Sequence, residues 1–469
     1  MGKSETHYKT RLVDRVHPAR KVAYGGGMVN YALLVVGYAQ LVNPIFNVNL
    51  GVSPIAIGLI MGLSRVWDAV TDPLMGTISD NTRSIYGRRR PWILLGSIAV
   101  ALTFVLIWWF PLGKSQTFYI SYLSVTTVLF YAGFTMFSVP YLALGMEMSP
   151  DYHERTRIVA YRDFLQPFGA FAAQALFWLA TLNVFSDVFE GLRFTSLGVG
   201  LIVILLGVIA SVFPREHPSV ELLSASQKKV SFIKSICQTL KVKPFLIICI
   251  STAVALVGVT MVGHLGFYVC LYYLFGGDQS ACAEIFALWG FAMQFASLLM
   301  VPVIVRISTK IGKRKTLLIF FGVSIIGSLS KWWLIIPGCP YLSLIPQALM
   351  GMGFIASSTM MNSMIPDAVD YDELTTKTRR EGMFGAVYGW SWKLGIALAL
   401  VLSGFVLPLT GYDAALPAQS SSTITWIRLA ESGLPVFGYI GAVCLVWFYP
   451  LSEQTAYKVR EELERRRAN

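Results

Sequence analysis

Charged residues are scarce in this sequence. They make up 14% of its 469 residues, whereas hydrophobic residues make up 55%. The mean hydropathy of +0.60 excludes an ordinary soluble domain and is typical of a protein that crosses the membrane many times. The N-terminus is polar and basic and lacks the short apolar core of a signal peptide, so we expect no cleaved leader.

Several motifs of catalysis are also missing. The sequence contains no nucleotide-binding glycine loop, no histidine pair at metal-ligand spacing and no serine-histidine arrangement typical of hydrolases. Its six cysteines include no Cys-x-x-Cys pair. We expect free thiols; the alternative is a disulfide between Cys282 and Cys339, which lie near predicted outer loops. These absences argue against primary transport and predict that the protein is not an enzyme.

Apolar segments dominate what is present, and twelve of them approach the length of about 20 residues that a membrane-spanning helix needs. They cover roughly 22–46, 54–79, 91–112, 116–148, 158–183, 194–213, 244–275, 283–305, 316–337, 341–365, 383–410 and 426–450. Most Lys and Arg residues fall in the segments on one side of these spans, which predicts that both termini are cytoplasmic. The net charge of +12 therefore follows topology and does not indicate nucleic-acid binding.

A repeated signal divides the chain into two halves. Gly87 precedes the basic triplet 88–90 in the first half, and Gly312 precedes the triplet 313–315 in the second. This repetition indicates an internal duplication of six spans. We predict an all-α membrane protein of twelve transmembrane helices in two six-helix bundles, residues 1–214 and 244–451. A cytoplasmic loop, 215–243, joins the bundles, and a cytoplasmic tail, 452–469, follows them.

The second span carries three ionisable residues on one helical face. Arg65, Asp68 and Asp72 lie at i, i+3 and i+7. Each ionisable group in a bilayer costs about 2.5–3.5 kcal/mol, so this face should point into the protein or into a watery cavity. One Arg leaves one Asp uncompensated, which favours a cation or proton site. The alternative is that Arg65 neutralises one Asp and the cluster only holds helices together.

Other polar and aromatic residues in the spans are candidates for coupling or substrate binding. Lys393 in the eleventh span needs a partner, and Asp68 or Asp72 is the obvious one. Arg162 either forms a helix-end ion pair with Asp163 or binds substrate. We explain Lys331 by its position near an outer helix end, where its ammonium can extend to the surface. Further candidates for substrate contact or for stacking on a sugar are Ser138, Tyr141, Trp67, Trp390 and Trp392. The alternative for the four aromatic residues is that they only pack helices together.

Together these motifs resemble those of the glycoside-pentoside-hexuronide:cation symporters of the major facilitator superfamily, the melibiose permease group, over nearly the whole chain. The matching motifs are Arg65-x-x-Asp68-x-x-x-Asp72-Pro73, Thr135 with Ser138-Val139-Pro140, Asp367-x-x-Asp370-Tyr371, Arg379-Arg380-Glu381-Gly382 and Lys393-x-Gly395. The resemblance implies that Asp68, Asp72 and Thr135 bind Na⁺, Li⁺ or a proton. It also implies that Lys393 lies near this cation and that Arg162 belongs to the sugar site.

The sequence departs from the melibiose carriers in the sugar half of the site. Where those carriers have sugar-binding acids, this sequence has Ala32 and Ser138. Where they have Trp residues on helices four and ten, it has Leu142 and Ser358, and their helix-eleven Thr is matched by Gly389. We therefore predict cation-coupled symport of a sugar or glycoside, with a sodium-dependent lysophospholipid carrier as the alternative and a non-transporting sensor as a third. The expected partners are a small-molecule substrate and the lipid bilayer, with no nucleic acid and no cofactor beyond the transported ion. We expect a monomer in the inner or plasma membrane.

Overall fold

The computed structural model describes residues 14–216, 238–376, 380–414, 416, 418–451 and 453–468, and in these ranges the secondary structure is helical without a strand. Eleven of the described helices are long and apolar enough to cross a membrane. Most of the predicted loop 215–243, and Arg379 of the motif at 379–382, lie outside the described residues. The predicted boundaries of the two bundles therefore stay a prediction.

The described part of the first half contains seven helices. They are α1 (Pro18–Val42, continued by a π-helical turn at Asn43–Asn49), α2 (Pro54–Asn81), α3 (Arg90–Trp108), α4 (Gln116–Glu147), α5 (Tyr152–Gln174), α6 (Leu176–Ala180) and α7 (Val188–Val212). In the fifth predicted span, α5 and α6 meet at Ala175. The eleven helices that are long and apolar enough to cross a membrane do not include this span. Its main helix, α5, carries several charged residues. It nevertheless packs along α1 as part of the bundle.

Among the residues that the structure describes, the second half contains another seven helices and a short 3-10 turn. The helices are α8 (Lys243–Tyr268, continued by a π-helical turn at Val269–Leu274), α9 (Gln279–Ile311), α10 (Lys313–Leu334), α11 (Leu344–Thr376, preceded by the turn Pro340–Ser343), α12 (Glu381–Leu409), α13 (Ser421–Trp447) and the terminal α14 (Glu453–Ala468).

Helix packing repeats between the halves. In the first half α1 packs on α5 and α7, α3 packs on α4 and α7, and α2 packs on α4. In the second half α8 packs on α12 and α13, α10 packs on α11 and α13, and α9 packs on α11. These five pairs correspond one to one when the spanning helices are counted in order, as the duplicated sequence signal predicts. Between the halves, α2 packs on α12 and α5 packs on α9.

The apolar core is shared between the halves at only one end of the described bundle. At the end remote from both termini, Leu34 and Phe46 belong to one continuous core with Leu271, Phe286 and Leu407. Toward the other end, the first half has its own core around Tyr24 and Ile93, and the second half has another around Phe245 and Phe384. The two halves are thus closed against each other at the end opposite the termini.

Candidate functional site

The acidic helix α2 has two different faces. Arg65 and Asp68 are buried, at 9% and 1% exposure, and Asp72 lies one turn further along the same face. The opposite face is an exposed apolar stripe of Leu59, Leu63, Val66, Trp67, Val70, Leu74 and Ile78. Because exposed apolar side chains suit lipid and charged ones do not, the acidic face is directed into the protein, as its spacing predicts.

Glycines bring α12 of the second half against α2. A Cβ added to Gly58 would lie 2.7 Å from the Leu400 carbonyl oxygen, and one added to Gly404 would lie 2.6 Å from the Pro54 carbonyl oxygen. Glycine at both positions therefore permits the close backbone approach that small residues give to helices in lipid. This approach places the next turns of α12, including Lys393, beside the carboxylates of α2.

Lys393 is shared between two carboxylates of the other half. Its Nζ lies 2.8 Å from Asp68 Oδ2 and also pairs with Asp72 Oδ2. The Thr135 hydroxyl donates to Asp68 Oδ1 at 2.9 Å, and the hydroxyls of Thr71 and Thr135 lie 3.2 Å apart. Asp72 Oδ1 is buried and accepts no hydrogen bond. The cluster is therefore rich in oxygen ligands and carries more carboxylates than the one ammonium between them.

Arg65 does not neutralise either carboxylate by direct pairing. Its guanidinium lies 5.0 Å from the centre of the Tyr131 ring, its Nε has no hydrogen-bond partner, and among the ion pairs of the described residues none includes it. Arg65 therefore pairs directly with neither carboxylate in this conformation, although its charge acts on Asp68. Lys393, which comes from the opposite half, is the direct ion-pair partner instead.

Carboxylate and hydroxyl oxygens are the ligands that hard cations prefer. Asp68, Asp72 and Thr135 present such oxygens together, with Thr71 adjacent. The Lys393 ammonium lies between these carboxylates. The arrangement therefore has oxygen ligands of the kind that a hard cation needs, with one ammonium already paired to them.

The residues predicted to bind substrate are not gathered in one place. Arg162 donates from Nε to Asp163 at 2.8 Å, so the predicted helix-end pair is present, and its charge acts on the phenols of Tyr24 and Tyr141. The Tyr141 hydroxyl donates to the Tyr24 carbonyl oxygen at 2.8 Å, and its ring stacks on Tyr24 at 4.7 Å. Tyr141 is fully buried, so it packs α4 against α1 and has no face free for a sugar. Ser138 is also buried, one turn after Thr135.

The three tryptophans differ in position. Trp67 is 44% exposed on the apolar stripe of α2, so it faces away from the carboxylates, and we do not retain it as a substrate residue. Trp392 is half-buried against Phe354, with ring centres 6.1 Å apart. Trp390 is half-buried on the same helix, α12. Only the two tryptophans of α12 remain candidates for stacking.

The structure reveals a charged pair that sequence reasoning missed. Lys331 and Glu431 are each 1% exposed, and their charged atoms lie 2.5 Å apart between α10 and α13. The explanation of Lys331 by extension to the surface was therefore wrong. An available signal was the lone acidic residue within the predicted span 426–450, which needs a basic partner in another span.

Polar contacts also join the halves at their closed end. The Asn47 side-chain oxygen accepts from Tyr268 at 2.7 Å and from Tyr412 at 3.1 Å, and Asn43 Nδ2 lies 2.5 Å from His264 Nδ1. Both tyrosines and the histidine belong to the second half, whereas both asparagines end the first helix.

The five described cysteines, Cys282 and Cys339 included, are free.

The family described as MFS/sugar transport protein matches residues 23–453. This chain belongs to that family. The family description and the eleven long apolar helices identify the chain as an integral membrane transporter and not an enzyme, as the sequence predicts.

Similar proteins extend over nearly the whole chain. The isoprimeverose transporter of Lactiplantibacillus pentosus is 24% identical, with 89% of this chain and 85% of the relative covered. The sphingosine-1-phosphate transporter MFSD2B of Xenopus tropicalis is also 24% identical, with 86% and 82% covered. The crystal structure of a D-xylose-proton symporter matches with a TM-score of 0.65 at 14% identity, with 93% of this chain and 98% of that chain covered. This structural likeness confirms the predicted fold of two six-helix bundles.

Proposed function

We propose that this protein is a cation-coupled symporter that moves a sugar or glycoside, as a monomer, by alternating access. The observation that carries the proposal is the sharing of Lys393, from the second half, between Asp68 and Asp72 of the first half. A Na⁺, Li⁺ or proton that binds the two carboxylates competes with the Lys393 ammonium for the same oxygens. Cation binding therefore changes a contact between the two halves that must move during transport.

Coupling follows from this competition. While Lys393 holds both carboxylates, α2 and α12 are fixed together near the centre of the bundle, and the end remote from the termini is closed. A bound cation neutralises the carboxylates and releases Lys393, which weakens this contact. If substrate binds better in the released state, cation and substrate each raise the affinity for the other by the same factor. From the sequence predictions we retain Arg162, Ser138, Trp390 and Trp392 as proposed substrate contacts, and Arg65 with Lys393 as proposed coupling residues.

We also propose that both termini are cytoplasmic and that the protein lies in the inner or plasma membrane. The basic triplets 88–90 and 313–315 lie at the end of the bundle that carries the termini, in agreement with the distribution of positive charge. In this orientation the closed end is external, and the described conformation faces inward. Epitope tags at residue 1, near residue 225 and at residue 469 should all be protected in sealed cells; an accessible tag near 225 would overturn the topology.

Uptake into proteoliposomes tests the proposed coupling. Radiolabelled sugars and glycosides are supplied with a Na⁺ gradient, a proton gradient or neither. We expect Asp68→Asn and Asp72→Asn to abolish uphill accumulation, because each substitution removes a charge that the cation needs, while downhill exchange survives in at least one of them. Asp278→Asn is the matched control, because Asp278 caps α9 through hydrogen bonds to Ser280 and Ala281 and Asn caps helices equally well. Normal cation-driven accumulation in both α2 variants would contradict the proposal.

A lysophospholipid or similar amphiphile is the second candidate substrate. Two observations favour it: the sphingosine-1-phosphate transporter among the similar proteins, and an open row of small residues on α12. A Cβ on Gly382, Gly385 or Gly389 would meet no heavy atom within 4 Å, so this helix offers a smooth surface on the side that leads to Lys393. Cation-dependent uptake of a lysophospholipid without uptake of any sugar would select this candidate and leave the coupling proposal intact.

A further inference from the structure

Arg65 is a buried guanidinium that makes no direct contact with the carboxylates of the cation cluster. It is 9% exposed, its Nε has no hydrogen-bond partner, and the ion pairs of the described residues do not include it. Asp68 lies three residues further along α2, a spacing at which Arg and Asp side chains of one helix normally meet. The absence of this pair therefore requires a contact that holds Arg65 elsewhere.

Saturation of Asp68 does not explain the missing pair. An ionised carboxylate has about four lone-pair sites for hydrogen bonds. Thr135 donates to Oδ1 at 2.9 Å, and the Lys393 ammonium lies 2.8 Å from Oδ2. Each oxygen thus keeps a site for a further donor, and the guanidinium fork of an arginine suits a carboxylate well. The cause therefore lies in the surroundings of Arg65.

Tyr131 on α4 provides another position for the guanidinium. The guanidinium of Arg65 lies over the Tyr131 ring, 5.0 Å from the ring centre. Cation–π contacts are strongest where both groups are removed from water, and Tyr131 is 1% exposed. Helices α2 and α4 pack together and run in the same direction, because one antiparallel helix separates them in the chain. The contact therefore lies about one turn before the hydrogen bond between Asp68 and Thr135.

Other aromatic side chains fix the Tyr131 ring. It meets Phe130, Tyr38 and Phe134 edge to face, with ring centres 5.2, 6.0 and 6.3 Å away. The hydroxyl of Tyr38 in turn shares a hydrogen bond with that of Thr127 at 2.9 Å. Because a close-packed core leaves a ring little room to move, Tyr131 holds the guanidinium in place and does not follow it toward the carboxylates.

We propose that Tyr131 is a positioning residue that holds the Arg65 guanidinium off Asp68. The carboxylate thereby stays available to its ion-pair partner from the second half and to the coupling cation. A released Arg65 would bind Asp68 through two parallel hydrogen bonds and would compete with both. The effect on the cation rests on the proposed function, whereas the position of Arg65 does not.

Structures of full-length Tyr131→Leu and Tyr131→Phe test the position of Arg65 without a transport measurement. Leucine removes the ring face, so the guanidinium should lie within about 4 Å of an Asp68 oxygen, as in an ion pair. Phenylalanine keeps the face, and the guanidinium should stay over the ring. An unpaired Arg65 in Tyr131→Leu overturns the proposal, whether or not the protein binds a cation. Tyr131→Met, whose flexible side chain fills more of the space, is used if Tyr131→Leu does not fold.

Cation binding measures the consequence for the carboxylates. Thermal unfolding of the purified protein is followed while Na⁺ or Li⁺ is titrated against choline at equal ionic strength, and while the pH is varied. Tyr131→Leu should weaken cation binding about tenfold, and Tyr131→Phe should bind as the unmodified protein does. The matched control is Phe104→Leu, which removes another fully buried ring of the same core, one that packs against Trp108 and Phe130. Equal losses in Tyr131→Leu and Phe104→Leu overturn the proposal.

Arg65→Gln separates positioning from packing. Glutamine has no charge with which to compete for Asp68, so adding Tyr131→Leu to Arg65→Gln should change the cation affinity by less than about twofold. A further loss as large as in the unmodified background means that Tyr131 acts by packing alone, and it overturns the proposal. If the unmodified protein responds to none of Na⁺, Li⁺ and pH, the symporter proposal fails, and the position of Arg65 in Tyr131→Leu still decides this one.

Discussion

Lys393 and Lys331 both lie in membrane-crossing helices, but their side chains are held differently. Lys393 has a 22% exposed side chain and is shared between two carboxylates of the opposite half. Lys331 has a 1% exposed side chain and meets the single carboxylate of Glu431 in its own half. The first arrangement places one ammonium between two carboxylates, which the proposed exchange with a transported cation requires, whereas the second is a sealed pair of one ammonium and one carboxylate. The number of carboxylates around the lysine, and the half to which they belong, thus distinguish a group that can move from one that is fixed.

The largest expected effect is on stability, from Lys331→Met. This change leaves the Glu431 carboxylate buried without its partner, which costs about 3–5 kcal/mol. The double variant Lys331→Met/Glu431→Leu should recover most of that loss, because an apolar pair of similar volume needs no counter-charge. Chemical unfolding in detergent measures both. Lys393→Met should be the milder change in stability, because Asp68 keeps the hydrogen bond from Thr135 and Asp72 is 29% exposed, yet it should abolish cation-driven accumulation. Equal stability losses for the two single variants would remove the distinction.

Much of the fold could be predicted from sequence because its determinants are local. Apolar segment length and the distribution of basic residues identify the spans, and the repeated triplets after Gly87 and Gly312 identify the two halves. The face of Arg65, Asp68 and Asp72 follows from helical spacing alone. The structure also brings Thr135 and Lys393 to these carboxylates, as the resemblance to cation symporters implies, although the roles of all five stay predictions.

The surroundings of individual side chains in the spans could not be predicted, because they depend on which helices pack together. A single sequence does not specify that packing. Tyr141 and Trp67 are both aromatic residues in spans, but one is buried against α1 and the other lies on the exposed stripe of α2. Lys331 could be placed only once α10 and α13 were known to be neighbours.

A smaller effect is expected where the halves touch, from Gly58→Ala. The added methyl group would lie 2.7 Å from the Leu400 carbonyl oxygen and 2.9 Å from Gly404 Cα. Because both are backbone atoms, the closed contact of α2 with α12 should lose about 1–3 kcal/mol. The closed end, remote from the termini, should then open more often. Alkylation of Ser403→Cys by an impermeant maleimide, in a variant without the native cysteines, should become faster.

The control for this experiment is Gly263→Ala, because a Cβ at Gly263 meets no heavy atom within 4 Å. It should leave the alkylation rate of Ser403→Cys unchanged. If Gly263→Ala and Gly58→Ala accelerate labelling equally, the effect comes from general loosening of the bundle and not from the contact between α2 and α12.

Within the cation cluster, Thr135→Val should have a moderate effect. It removes the hydroxyl that donates to Asp68 at 2.9 Å and nearly keeps the side-chain volume. A hydrogen bond of this kind contributes about 0.5–1.5 kcal/mol, so the apparent affinity for the coupling cation should fall about 2- to 12-fold. Thr135→Ser keeps the hydroxyl and should remain close to the unmodified protein. The cation dependence of substrate uptake measures both, and an unchanged cation affinity in Thr135→Val would exclude Thr135 from the cation site.

The smallest effect is expected from Trp67→Leu, and this prediction tests whether side-chain direction around α2 decides function. Trp67 lies among leucines and valines on the exposed stripe, so a leucine there keeps the surface apolar. Surface substitutions of this kind stay within about 0.5 kcal/mol, so the apparent substrate affinity should change by no more than about twofold. Trp392→Leu is the comparison, because Trp392 packs against Phe354 and an aromatic pair contributes about 0.5–1.5 kcal/mol. Substrate titrations of both variants under the same cation gradient give the answer: a larger loss for Trp67→Leu than for Trp392→Leu would mean that the exposed stripe, and not only the acidic face, contacts the substrate.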